Sequence, residues 1–391
     1  MFTSVSGCLD TQPQTTLTET STTTETTTKE ARTNPPSSKC DRTWEPTVRW
    51  QKNIGNDADD LRIVNDVLYA SVSQGIVAYN FDGTPKQHLQ IEDANTDVVA
   101  ATDRRVLLAG IETVRAINAA TGSTDWRFEA EENASVSDVA VADGQVYVVT
   151  SKYPTASENF EETFVRLDAL DATSGESLWQ YDDVPGEGEF GWTVSADGDA
   201  VYVAWEDGVL LSVTMSGNER WRRTLPVDDV NLNVRFGGVQ DGTLYLGVEG
   251  TSETALALST ADGTTLWEQS GLESVDGIAD GRVYCSGRSA ANGYRFAALA
   301  AETGEYVWSR EFETGTVTTP AEVADSVLYA GVNNGQTDGS RGVWALDAAS
   351  GCLLGEFSLD GRSISRPVVA RNTVFVLDEI GEMYALTTVA E

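Results

Sequence analysis

The sequence predicts an all-β chain: an eight-bladed β-propeller of four-stranded blades, closed by an N-terminal strand that completes the last blade. Three observations carry this expectation. A short β-branched and aromatic run recurs eight times, and an Ala/Leu-type pair with a glycine turn follows it seven times. The eighth pass stops at Ala385-Leu386 with no turn or closing strand behind it, while a spare strand, Val48-Arg49-Trp50, stands at the other end. Pairing the two ends would leave no exposed sheet edge.

The first element reads Val67-Leu68-Tyr69-Ala70, Val106-Leu107-Leu108, Val146-Tyr147-Val148 and Val201-Tyr202-Val203. It continues as Leu244-Tyr245-Leu246, Val283-Tyr284-Cys285, Val327-Leu328-Tyr329 and Val374-Phe375-Val376. Such residues suit a pleated, half-buried surface. Turn dipeptides precede several copies, among them Asp143-Gly144, Asp241-Gly242 and Asp280-Gly281. The second element is typified by Ala169-Leu170-Asp171-Ala172-Thr173-Ser174-Gly175 and Ala345-Leu346-Asp347-Ala348-Ala349-Ser350-Gly351. Its glycine supplies the positive φ of a tight hairpin.

Four residues beyond five of these glycines stands a tryptophan: Trp126, Trp179, Trp221, Trp267 and Trp308, with Trp50 in the equivalent place of the N-terminal strand. A large ring fixed in each outer strand reads as a wedge between neighbouring blades, burying on the order of 150–250 Å². Gln87 and Gly355 hold this position in the first and seventh copies, so those two junctions depart from the pattern.

The period of about 40 to 55 residues is that of a propeller. No His-to-Trp-Asp pairing of the WD40 kind recurs. The pattern Ala-Leu-Asp-Ala-x-Thr/Ser-Gly-x-x-x-Trp instead resembles the quinoprotein (PQQ-type) repeat, over about Trp44 to Leu386. Eight-bladed proteins of that kind include PQQ-dependent alcohol dehydrogenases and BamB-like scaffold lipoproteins. The dehydrogenases stack their quinone on a vicinal disulfide and hold calcium with Glu, Asn and Asp. This sequence has no adjacent Cys-Cys pair, so the expectation is no cofactor.

The formal charge of −35, from 61 acidic against 26 basic residues, resists aggregation but repels itself at low ionic strength. Molar salt shortens the screening length to about 3 Å. The composition therefore points to a salt-loving organism, a haloarchaeon, against the plainer alternative of a mildly acidic secreted protein. No basic stripe meets phosphates, which argues against nucleic acid.

Residues 9–43 read as a Thr-rich disordered stalk, with almost no apolar content in runs such as Thr22-Thr23-Thr24-Glu25-Thr26-Thr27-Thr28. Ahead of it, residues 1–8 end in Val5-Ser6-Gly7-Cys8, which resembles the lipobox of a lipoprotein signal, with Cys8 lipidated. The residues before it are too few for a signal core, so either the start lies upstream or the match is accidental. The propeller takes 44–391. No stretch is long and apolar enough to span a bilayer as a helix.

Cys352 begins the closing strand of the seventh copy, and Cys40 shortly precedes the N-terminal strand of the adjacent eighth blade. A Cys40–Cys352 disulfide tethering that strand is expected, leaving Cys285 as a small core residue.

Nothing assembles into a catalytic set. His88 is the only histidine, so a Ser-His-Asp triad or a histidine-rich metal site has at most one member. Asn333, Asn334 and Asp338 offer oxygens without EF-hand spacing and read as a solvated turn. Asn133-Ala134-Ser135 is an N-glycosylation sequon. The clearest functional signal is loop length. Insertions fall at 151–162, 182–191, 287–294 and 333–341, all on one face, and carry Tyr153, Phe160, Phe190, Arg288, Tyr294 and Arg341, with Trp192 just beyond. Variable loops on a rigid scaffold are where binding residues gather. The expectation is a monomeric, non-catalytic scaffold for protein or cell-surface partners, anchored by lipid on the outer face of the membrane. A quinone-dependent alcohol or sugar dehydrogenase and a polysaccharide-binding module are the alternatives.

Overall fold

The computed structural model describes residues 40, 42–55, 58, 61–64, 66–72, 75–90, 97–102, 104–152, 164–182, 193–205, 208–225, 233–250, 253–288, 294–312, 316–318, 321–334, 341–359 and 364–388. All lie in one compact unit, residues 32–391. Among them, 33 strands, numbered β1 to β33 in chain order, form eight antiparallel sheets. Blades one to six hold β2–β5 (residues 61–90), β6–β9 (97–129), β10–β13 (134–181), β14–β17 (193–224), β18–β21 (233–270) and β22–β25 (274–312). The seventh holds β26–β30 (316–358), its inner edge split into two short strands. The eighth holds β31 (Val368–Ala370), β32 (Thr373–Leu377) and β33 (Glu382–Thr387), completed by β1 (Val48–Asn53). Trp50 pairs with Ala385 and Lys52 with Met383. The chain closes as its sequence predicts.

First strands of neighbouring blades lie beside one another around the axis, so each blade's first strand is its innermost. The hydrophobic core is eight seams between blades. Tyr147, Leu167 and Ala169 of the third blade pack against Val201, Val203 and Leu211 of the fourth. At the closing seam, Phe375, Met383 and Ala385 of the eighth meet Leu61, Leu68 and Ala70 of the first. Every sheet is therefore covered on both faces, which is why the second and third strands read as nearly continuous apolar runs.

The outer seams follow one rule. Each indole of Trp50, Trp126, Trp179, Trp221, Trp267 and Trp308 donates its N–H to a turn carbonyl of the next blade, at 2.8–3.0 Å. The ring lies flat on that turn's glycine. At Gly175, φ is +73° and an added Cβ would stand 2.6 Å from Trp126 Cδ2. Glycine is thus required twice, by backbone conformation and by the neighbour's ring. A tyrosine of the second strand supports the indole from its own blade, as in Tyr147–Trp179 at 6.0 Å and Tyr284–Trp308 at 6.3 Å between centroids. A cation two residues past the indole adds a polar latch at three seams. Lys52 donates to Gly83 O at 2.6 Å, Arg310 to Gly351 O at 3.2 Å, and Arg223 to Gly263 O.

The two junctions that lack tryptophan in sequence are filled differently. Gln87 lies against Gly122, where an added Cβ would come 1.9 Å from its Nε2. At the seventh blade the indole arrives from the other end of the chain. Trp44, 3 % exposed, sits edge-on to Tyr329 at 5.7 Å and donates its indole N–H to Thr387 O at 2.8 Å. Gly355 is bare because the Trp44 carbonyl occupies the place of its side chain, 2.1 Å from where a Cβ would be. That junction therefore keeps the rule with a borrowed ring. A disulfide joins Cys40 to Cys352, with Cα atoms 5.8 Å apart, and Arg42 pairs with Asp347 at 3.0 Å. Cys285 is fully buried in the wall between blades five and six.

Candidate functional site

Two places on this scaffold gather chemistry: the axis and the long-loop face. At the axis, β18 (Asn233–Gln240), β22 (Ser274–Ala279) and β27 (Glu322–Ala324) line, with Arg366, an open cavity of about 480 Å³. Missing side chains let these strands draw close. A Cβ on Gly237 would stand 2.2 Å from Val275 Cγ1. Both β18 and β22 carry bulges, at Phe236/Gly238 and Val275/Gly277. A bulge re-aims one side chain out of the alternation, and in β22 that residue is Asp276.

Asp276 is 6 % exposed and lines the cavity. The Ser274 hydroxyl donates to its Oδ1 at 2.8 Å. Burial pushes its carboxyl up to about 6, while hydrogen bonds from Ser286 and Ser274 and the charges of Arg366 and Arg235 pull the other way. Arg366 donates to Glu322 at 2.9 Å. Asp138 in β10 (Ala134–Ala142) makes an instructive contrast. Its carboxylate accepts from Val139 N–H at 2.8 Å, Val194 N–H at 2.8 Å and the Thr193 hydroxyl at 3.0 Å. Its Oδ2 latches the third blade to the fourth, while Oδ1 is held by its own strand.

The long-loop face carries a second charged group. Glu249 ends β19 (Thr243–Glu249) and Arg288 ends β23 (Arg282–Arg288), so both point into the rim. Arg288, 67 % exposed, stands 3.5 Å from Glu273, 3.6 Å from Glu253 and 3.7 Å from Glu249. Burial first and the neighbouring Glu253 second push the Glu273 carboxyl up to about 7, with Arg288 opposing. Three carboxylates around one guanidinium make a rim that takes up a proton near neutrality.

Other residues singled out from sequence fall as follows. Arg341 is half-buried, and its carbonyl accepts from Leu359 N–H at 2.7 Å. Tyr294 corrects the expectation of an exposed rim residue. It is 8 % exposed, begins β24 (Tyr294–Ala300) and stacks edge-on to Phe296 at 6.1 Å. Tyr153, Phe160, Phe190, Trp192, Asp338, Cys8 and the stalk to Lys39 lie outside the described residues, as do the side chains of Asn333 and Asn334. His88 is exposed on the outer strand β5 (Pro85–Gln90), opposite Val77. Asn133 is exposed with φ 64°, just ahead of β10. Among the described residues, no three His, Cys, Asp or Glu side chains are placed to hold a metal ion.

Sequence reading passed over Asp276 because Asp276-Gly277 imitates a turn. The genuine turn, Asp280-Gly281, follows four residues later with φ 51° and 69°. Two Asp-Gly pairs within one half-repeat were the available signal.

Residues 85–235, 216–336 and 295–390 each match the family described as "Outer membrane protein assembly factor BamB". No curated protein sequence matches this chain. Among solved structures, BamB from Moraxella catarrhalis superposes with a TM-score of 0.65 at 18% identity, covering 88% of this chain and 100% of that one. The computationally designed Ika8 protein gives 0.67 at 13% identity, covering 86% and 98%. Quinohemoprotein alcohol dehydrogenase from Comamonas testosteroni gives 0.59 at 13% identity, covering 88% of this chain and 77% of that one. At these identities the likeness is one of fold.

Proposed function

Because this chain belongs to the family of the outer membrane protein assembly factor BamB, we propose that it is a non-catalytic, extracytoplasmic scaffold whose long-loop face binds a protein partner. The observation that carries the reading is an asymmetry. The connections β11–β12 (152 to 164), β13–β14 (181 to 193), β23–β24 (288 to 294) and β28–β29 (334 to 342) all leave one face, whereas the opposite face is built of tight glycine turns. A ring held at its seams by wedged indoles keeps the strand ends that carry these connections in fixed relative positions, as a docking surface needs. The outlying sequence supports attachment through Cys8, with the Thr-rich residues 9–39 as a spacer; the expected stalk of 9–43 is too long at its end, because Cys40 and Arg42 are tied to the seventh blade. The charge of −35 suits molar salt.

The quinone that the dehydrogenase resemblance implies does not fit the residues at the axis. The disulfide lies at an outer strand, Cys285 is buried within a seam, and the cavity wall presents Asp276, Glu322, Arg235 and Arg366 rather than a flat sulfur platform.

A photo-crosslinking residue at Arg288 should capture one partner from native membranes in high salt, and the same residue at Asp197, on the tight-turn face, should not. Equal capture from both faces, or capture from Asp197 alone, would refute the face assignment. Reduction of an electron-accepting dye on adding pyrroloquinoline quinone, calcium and an alcohol would favour the dehydrogenase. Protection from unfolding by a cell-surface polysaccharide would favour the sugar-binding module.

A further inference from the structure

The triplet Asn133-Ala134-Ser135 has no part in docking at the long loops, yet the fold sets it in an exposed and defined position. Residues 131–134 form a tight turn between the second and third blades, closed by Ala134 N–H donating to Glu131 O at 2.9 Å. Asn133 stands at its third position with φ 64°, a conformation that suits glycine, asparagine and aspartate. Among the described residues, aspartate takes five of the nine non-glycine positions of positive φ. The backbone would accept aspartate here too, so the turn alone does not select an amide. The Asn133 side chain is exposed and takes part in no hydrogen bond among the described residues. An amide without local work, at the head of an Asn-x-Ser triplet, is an acceptor for sugar.

The turn is pinned over an exposed apolar residue. Ala130 N–H donates to Glu112 O at 2.9 Å and Val136 N–H to Ile111 O at 2.7 Å. Both flanks of Asn133 therefore rest on the turn between β7 (Arg105–Ala109) and β8 (Thr113–Asn118) of the second blade. Ile111 is 55 % exposed, more than any other large hydrophobic residue among those described. We propose that Asn133 carries an N-linked glycan and that this sugar covers Ile111. The donor is a lipid-phosphate-linked oligosaccharide. Asn133 Nδ2 attacks its anomeric carbon and a C–N bond forms. The C–O bond to phosphate breaks, its electron pair leaves on the phosphate, and one amide proton passes to the transferring enzyme. Ala134 is 1 % exposed and Ser135 is paired with Ser151, so the folded blade hides two of the three residues that enzyme must read. Transfer therefore precedes the pairing of β10 with β11 (Gln145–Lys152), and Asn133 holds the sugar outside afterwards. Ala134 pairs with Lys152, where the connection 152 to 164 leaves, which puts the sugar on the long-loop face. It stands three blades from Arg288 and leaves that rim open. Such a sugar requires the extracytoplasmic placement proposed above, but no partner.

Peptide mass spectrometry of the full chain, purified from its native membranes, tests this. The peptide that contains Asn133 is expected to be heavier by a whole number of sugar residues. In the same cells, Asn133→Gln and Ser135→Ala should each abolish the increment, and Ser135→Thr should keep it. Binding of a hydrophobic dye should rise about twofold in Asn133→Gln, and Ile111→Ser in that background should reverse the rise. The wild-type peptide decides the matter whether or not a variant folds. An unmodified Asn133 peptide would overturn the proposal, and dye binding that ignores the sugar would overturn the cover over Ile111. Capture at Arg288 together with a bare Asn133 would sink the sugar alone, whereas a sugar at Asn133 without capture would sink the docking reading alone.

Discussion

Replacing Trp44 by alanine isolates the device that completes the seventh seam. The indole is 97 % buried and packs in the seam of Tyr329, Val343, Leu354, Val374 and Leu386. Truncating a buried tryptophan costs about 3–5 kcal/mol. The lost Thr387 hydrogen bond and the edge-on contact with Tyr329, about 1 kcal/mol each, fall within that range. Unfolding entropy of roughly 2.1 cal/mol/K per residue, taken over about 350 residues, gives roughly 0.7 kcal/mol/K. The melting temperature should therefore fall by about 4–7 °C, read by calorimetry in high salt. Trp126→Ala, at an interior seam and 7 % exposed, should fall by a similar amount. The difference lies in coupling. Trp44 and the Cys40–Cys352 bridge hold one segment, so Trp44→Ala should cost clearly less when added to Cys352→Ser, whereas Trp126→Ala should add in full. A loss below about 1 kcal/mol for Trp44→Ala, or full additivity with Cys352→Ser, would refute the borrowed-ring account.

Four further outcomes are expected. Gly175→Ala should destabilise more than Gly144→Ala in chemical unfolding, because both have φ near +75° but only Gly175 faces an indole, at 2.6 Å. Asp276 has its folded carboxyl raised to about 6 from an ordinary 3.8, so the stability its protonation supports is complete below pH 4 and is lost as pH rises through 6. Asp276→Asn should therefore gain up to about 3 kcal/mol at pH 8 and nothing at pH 4. Glu273, raised to about 7, follows the same sign at higher pH: stability falls from about pH 4.5 to 7, and Glu273→Gln flattens that part of the profile. Raising potassium chloride from tenths molar to molar should raise the melting temperature steadily, since the surplus of acidic charge is screened; a flat response would count against self-repulsion.

The ring was legible because its signals repeat. Trp126, Trp179, Trp221, Trp267 and Trp308 share one offset from their glycines, and the unmatched strand at Val48-Arg49-Trp50 had one vacant edge to fill. Trp44 was not legible, since a residue that meets Tyr329 and Gly355 from about three hundred residues away leaves no periodic trace. Tyr294 was misplaced because the loop was drawn one residue too long. The alternation Tyr294, Phe296, Ala298, all buried, already marks it as strand. The axis stayed hidden for a different reason. The inner strands β18 and β22 are bulged and carry glycines, so period-two patterning is weak where Asp276 sits.

The pairing of Val48 with Leu386 has a consequence for how the molecule is made. The segment from Cys40 to Asn53 emerges before any of the eight blades during synthesis and meets its partner β33 only after all of them exist. Until then β33 stays bare along one side, a template for any stray extended chain. Seven blades can assemble as they appear, each upon its predecessor, but the eighth depends on an early-born strand kept waiting. The newborn protein is therefore most vulnerable at the moment before completion, and an oxidant that forms the sulfur bridge at that point would make the finished state hard to reverse.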